Sequence, residues 1–123
     1  MNVSEFTKDQ RQALLDLLVV TMYVDGNLKA AEEIWVEQAL TTMGFQTEYD
    51  RNREFDAAVT RVRQHTQTAD AARDCAVKLA QKFTIPEQRR EVLAILNELA
   101  GTDGAVAPEE TNLLAAVQKA FRL

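Results

Sequence analysis

Apolar residues recur at a spacing near 3.6 along almost the whole chain, the period of helices with one face turned inward. Leu14, Leu17, Leu18 and Met22 line one face of a first helix. Thr7 followed by Gln10 opens it as a capping box, and Asp25-Gly26 stops it. In a second helix Ala31, Ile34, Trp35, Gln38 and Ala39 form a stripe that Val36, Leu40 and Met43 widen, and Gly44 suits its C′ position. Thr47 and Asp50 open a third, with Phe55, Ala58, Val59 and Val62 facing inward. His65 to Thr68 are poor helix formers and read as a connection, with Thr68 as the next N-cap. A fourth helix carries Ala72, Cys75, Ala76, Leu79, Ala80 and Phe83. Pro86 and Pro108 sit well at the first position of a fifth and a sixth helix. The fifth has its stripe at Val92, Ile95, Leu96 and Leu99, and the sixth at Leu113, Val117, Ala120 and Phe121.

No alternating strand pattern of useful length interrupts this series. Eighteen alanines against four glycines and two prolines agree with helices and disfavour a chain of tight β-turns. A length of 123 residues is one domain's worth. The expectation is an all-α, compact bundle of about six helices, a single domain over 1–123.

Chemistry is bounded by what is scarce. One cysteine excludes an intramolecular disulfide, and one histidine excludes a multi-histidine metal site. Cys75 lies on an apolar stripe and reads as a packed thiol, and His65 as a cation suited to a helix end. A net charge of −5 disfavours nucleic acid as a partner. No apolar run is long enough for a transmembrane segment, and the first residues are too polar for a signal peptide. With the lone cysteine these features point to a cytoplasmic protein. No nucleophile–base set or phosphate loop is suggested, so the chain is not expected to be an enzyme, a small metal-dependent hydrolase being the remaining catalytic option.

The two ends of the chain resemble each other at an offset of 78 residues, in copies spanning about 10–43 and 88–121. LLDLLVVTMYVDGNLKAAEEIWVEQAL aligns with VLAILNELAGTDGAVAPEETNLLAAVQ. Asp25-Gly26 falls on Asp103-Gly104, Leu28 on Val106, and Glu32 on Glu110. Each copy reads helix, Asp-Gly turn, helix, which predicts a pseudo-two-fold repeat. Gly26 and Gly104 supply the positive φ of a sharp reversal, and each Glu falls in the first turn of the next helix, where the macrodipole favours negative charge. The spacing matches the second half of an EF-hand loop. The two leading ligand positions would be Thr21 and Tyr23, then Leu99 and Gly101, which do not make a calcium loop.

TMYVDGNLKAAEEIWVEQAL and ELAGTDGAVAPEETNLLAAV resemble the paired acidic segments of the TerB-like domain, an all-helical domain of tellurite-resistance proteins also attached to some J-domain co-chaperones. The resemblance implies a bacterial cytosolic protein of a tellurite or stress-resistance pathway. It also implies a non-catalytic module that chelates a metal ion or scaffolds Ter-system or stress proteins at the inner membrane face. Carried over by position, the matching residues are Asp25, Gly26, Glu32 and Glu33, then Asp103, Gly104, Glu109 and Glu110.

Charge is spread unevenly. Acids gather around both turns, whereas residues 61–90 hold seven bases against Asp70, Asp74 and Glu87. If the turns are neighbours their carboxylates repel, and a divalent cation relieves the repulsion. Asp25, Glu32, Asp103 and Glu110 are the candidate ligands, with Glu33 and Glu109 behind them. Mg²⁺ or Ca²⁺ suits such oxygen donors better than Zn²⁺. Lys29 lies within reach and would compete. In the alternative reading the acids only cap helices in an interaction domain without metal, or form an acidic patch for a basic partner.

Overall fold

Thr7 begins the first helix by the reciprocal exchange its spacing predicts. Its Oγ1 accepts the Gln10 N–H at 3.1 Å, and its own N–H donates to Gln10 Oε1 at 3.0 Å. In the computed structural model, which describes residues 1–26, 29–102, 104 and 106–123, six helices follow. They are α1 (Lys8–Tyr23), α2 (Ala30–Thr42), α3 (Glu48–Val62), α4 (Ala69–Ala80), α5 (Pro86–Ala100) and α6 (Pro108–Phe121), with a 3-10 turn at Arg63–His65. There is no strand among the described residues. Thr47 and Thr68 cap α3 and α4 by accepting the N–H of Asp50 and Ala71. Pro86 and Pro108 occupy the first turns of α5 and α6, where a missing N–H leaves no hydrogen bond unmade.

α1 is the centre of the bundle. Every residue from Ala13 to Met22 is buried, so the single expected face is in fact the whole circumference. It packs on α3, α4 and α5; α6 lies against α4 and α5, and α2 against α3 and α5. Gln10 of α1 and Gln88 of α5, in register in the sequence repeat, touch through their side-chain amides at 3.1 Å.

Two expectations are corrected. The inward face of α2 is Glu32, Val36, Ala39 and Leu40, whereas Ile34 is 58% exposed and Gln38 is exposed. The inward stripe keeps helical period only if Glu32 heads it, a place that apolarity alone withholds from a glutamate. Phe83 is fully buried but follows the end of α4, where its ring lies 5.2 Å from that of Phe6 and ties down the N-terminal segment.

α1 also carries a buried charge. Asp16 is 5% exposed and receives Arg61 of α3 in a forked contact, from Nη2 at 2.8 Å and from Nε at 3.1 Å to each carboxylate oxygen. Burial raises the Asp16 pKa, while the Arg61 hydrogen bond and charge hold it back.

Candidate functional site

Both Asp-Gly turns reverse at glycine. Gly26 has φ 75° and Gly104 φ 79°, the left-handed region that side chains resist. A Cβ built on either meets nothing within 4 Å, so the demand for glycine is conformational rather than steric. Gly26 N–H donates to Tyr23 O at 2.9 Å and Gly104 N–H to Gly101 O at 3.1 Å, closing each turn.

The helices after the turns begin alike. Glu32 is the third residue of α2 and Glu110 the third of α6, where a glutamate can reach back to its own N-cap. Glu110 does so: its Oε1 accepts the Ala107 N–H at 3.2 Å. The Lys29 side chain, at the N-cap of α2, makes no cap hydrogen bond. Both carboxyl groups are buried, each residue being 1% exposed. Among the described residues, no N–H group donates to either oxygen of Glu32 or to Oε2 of Glu110.

Lys29 joins the first turn to the start of α6. Its Nζ lies 3.3 Å from Glu110 Oε1 and 3.7 Å from Asp25 Oδ2. The Asp25 side chain is 5% exposed and that of Lys29 23%. One ammonium thus faces a carboxylate of the first turn and one at the start of α6. Glu32 stands in the same field. Burial first, then the charge of Glu110 close by, then a hydrogen bond between the two carboxyl groups, and finally the charge of Asp25, raise its pKa from 4.5 to about 8, with Lys29 acting in the opposite sense. Glu32 therefore retains its proton through neutral pH and shares it with Glu110.

Of the expected ligands, Asp25, Glu32 and Glu110 come together. Asp103 lies outside the described residues, as does Leu28 of the repeat. Glu33 is exposed and its charge helps to raise the Tyr23 pKa after burial has done so, while Glu109 is half-buried at the surface. The described residues contain no group of three His, Cys, Asp or Glu side chains arranged to hold a metal. What the buried atoms offer is carboxyl oxygens, the donor type a hard cation takes, in a pair that the proton on Glu32 already bridges. His65 is exposed on the 3-10 turn. Cys75 is half-buried, and burial followed by the charge of Asp16 raises its thiol pKa. Among the described residues no helix is long and apolar enough to cross a membrane.

A family model described as "Tellurite resistance protein TerB" matches residues 37–123. The match takes in the second turn and Glu110 and begins after the first turn and Glu32. No curated protein and no solved structure matches the chain.

Proposed function

The chain belongs to the TerB family, and we propose that it is a non-enzymatic helical module whose two acidic turns together take up one divalent cation. The observation that carries this reading is Glu32: a carboxyl 1% exposed, taking no hydrogen bond from an N–H group among the described residues and balanced only by a proton shared with a second buried glutamate. An unpaired carboxylate in such a place costs several kcal/mol, roughly, unless it is protonated or meets a cation. Asp25, Glu32 and Glu110 would hold the ion. Oxygen donors favour Mg²⁺ or Ca²⁺ over Zn²⁺. The ion would balance the carboxylates and fasten the starts of α2 and α6 to the first turn.

The setting we propose is a bacterial tellurite or stress-resistance system in the cytoplasm, with protein partners from that system, some of them at the inner membrane face. The family description supports this setting. The raised thiol pKa of Cys75 and the exposed position of His65 support a non-catalytic role, since an activated nucleophile needs a lowered pKa and an adjacent base.

One observation favours the alternative of an interaction domain without metal. Glu110 Oε1 already takes the Ala107 N–H and the Lys29 ammonium, as a structural cap does. Calorimetric titration of chelator-treated protein with Ca²⁺, Mg²⁺, Mn²⁺ and Zn²⁺ separates the two. The cation reading expects saturable binding to Ca²⁺ or Mg²⁺ that Glu32→Gln abolishes. Absence of binding, or binding unchanged in Glu32→Gln, establishes the structural reading instead.

A further inference from the structure

We propose that the trough between α1 and the α2–α3 connection binds a medium-chain aliphatic carboxylate, with its head at Lys8 and Arg11 and its tail along Leu15, Met43 and Phe45. The site is separate from the acidic turns and stands without the cation reading.

The trough encloses about 390 Å³, within the range of small-molecule pockets. One wall is a single stripe of α1: Lys8, Arg11, Gln12 and Leu15 recur at i, i+3, i+4 and i+7. The other wall is Met43, Gly44 and Phe45, with Glu54 of α3 beside them. Polarity changes along the α1 stripe. Two cations lead it, and Leu15 lies two turns on, about 10 Å along the axis, the reach of a medium-length aliphatic chain. Leu15 is buried, and Met43 and Phe45 are half-buried with open surface in the trough, so this end is apolar.

The walls are fixed by the protein itself. Gly44, at φ 109°, and Phe45 close the end of α2 by donating their N–H groups to Thr41 O and Leu40 O, each at 3.1 Å. Arg51 Nη1 pins the same connection, donating to Phe45 O at 3.2 Å and to Gln46 O at 2.9 Å. Arg11 Nη1 donates to Phe6 O at 3.0 Å, which orients the guanidinium and leaves Nε and Nη2 without a hydrogen-bond partner among the described residues. That is the edge by which Arg61 grips Asp16, and it takes a carboxylate in two parallel bonds.

Charge points the same way. Among the described residues no carboxylate pairs with Lys8 or Arg11. Lys8 is the first residue of α1, where the macrodipole disfavours a cation, so helix stability gives no reason for it and an anionic ligand does. Glu54 on the facing wall weighs against a second negative charge on the head, which favours a carboxylate over a phosphate.

The test titrates the isotope-labelled full chain with sodium octanoate at neutral pH and follows its amide NMR signals. Sodium butyrate, 1-octanol and octyl phosphate serve as comparison probes. Octanoate is expected to give saturable shifts at Leu15, Met43, Gly44 and Phe45. It should bind at least tenfold more tightly than butyrate, since each buried methylene adds about two- to fourfold. 1-Octanol and octyl phosphate should both bind more weakly than octanoate. Lys8→Glu should weaken octanoate about tenfold. Its melting temperature should stay level or rise, because an acid suits the helix start, so the lost binding is not a lost fold. Absence of saturable shifts at the trough, 1-octanol binding as tightly as octanoate, or unchanged affinity in Lys8→Glu overturns the site. Octyl phosphate binding more tightly than octanoate overturns the carboxylate assignment.

Discussion

The Lys29 ammonium sits 3.3 Å from Glu110 Oε1 although 81 positions separate the two residues. The contact links the start of α2 to the first turn of α6, and Glu110 Oε1 also accepts the Ala107 N–H. One carboxylate thus holds a helix start and a tertiary junction. Glu110→Ala should lower the unfolding free energy by about 1–3 kcal/mol, the range for losing a cap and stranding a buried partner. Glu110→Gln can still accept the Ala107 N–H and should lose less. Urea denaturation at pH 7 in chelator measures both, and equal losses would show that only the charge matters.

The raised pKa of Glu32 gives stability a pH dependence of definite sign. Between its ordinary 4.5 and about 8 the folded chain holds a proton that the unfolded chain has released. The contribution is complete below about 4.5 and lost as pH rises through about 8. Without cation, stability should fall across that window by at most about 1.4 kcal/mol per pH unit from this residue. Asp16, also raised, adds a change of the same sign. Urea midpoints at pH 5, 6, 7 and 8 provide the check. Glu32→Gln should flatten the profile, and a parent slope of zero would contradict the buried protonated carboxyl.

Asp16 and Arg61 make a second test, remote from the turns. Arg61→Met leaves the nearly buried Asp16 without its forked donor. A loss of about 2–4 kcal/mol is expected, less than for a fully enclosed pair because the Arg61 side chain is 32% exposed. The double variant Asp16→Leu/Arg61→Met should recover much of it by removing both charges. Chemical denaturation of the three proteins gives the coupling, and a double variant worse than Arg61→Met alone would contradict the account.

Cys75 should be a sluggish thiol. Burial and then Asp16 raise its pKa, with Lys78 only partly opposing. A disulfide reagent at pH 8 should react with the folded chain severalfold more slowly than with the urea-unfolded chain. Asp16→Asn should speed the folded reaction by lowering the thiol pKa. A folded thiol faster than the unfolded one would contradict this account and point to an activated cysteine.

The helix starts were legible because capping is local chemistry. Thr7 with Gln10, Thr47 with Asp50, and Pro86 and Pro108 specify their own surroundings within a few residues. The matching places of Glu32 and Glu110 in their helices followed from the repeated Asp-Gly-to-Glu spacing. Their depth did not follow. Counting apolar residues assigns a glutamate to solvent, so Ile34 and Trp35 appeared to mark the inner face of α2. The signal was nevertheless present: Glu32, Val36, Ala39 and Leu40 keep helical period, as do Glu110, Leu113, Leu114, Val117 and Phe121. Burial also removes these two acids from any surface patch and leaves Glu37 and Glu98 exposed. Arg61 was legible only as one of a run of bases. Its partner lies 45 residues away, and the hint was Asp16 itself, alone between Ala13–Leu15 and Leu17–Val20.

The enclosure of α1 from Ala13 to Met22 bears on where this chain can be cut. The stretch shared with the family begins at residue 37, downstream of that helix. A peptide trimmed to it would keep α3 to α6 but lose the spindle they wrap, opening an oily trough along α3, α4 and α5. The signature by which relatives are found and the shortest length of polypeptide able to fold alone are therefore different pieces.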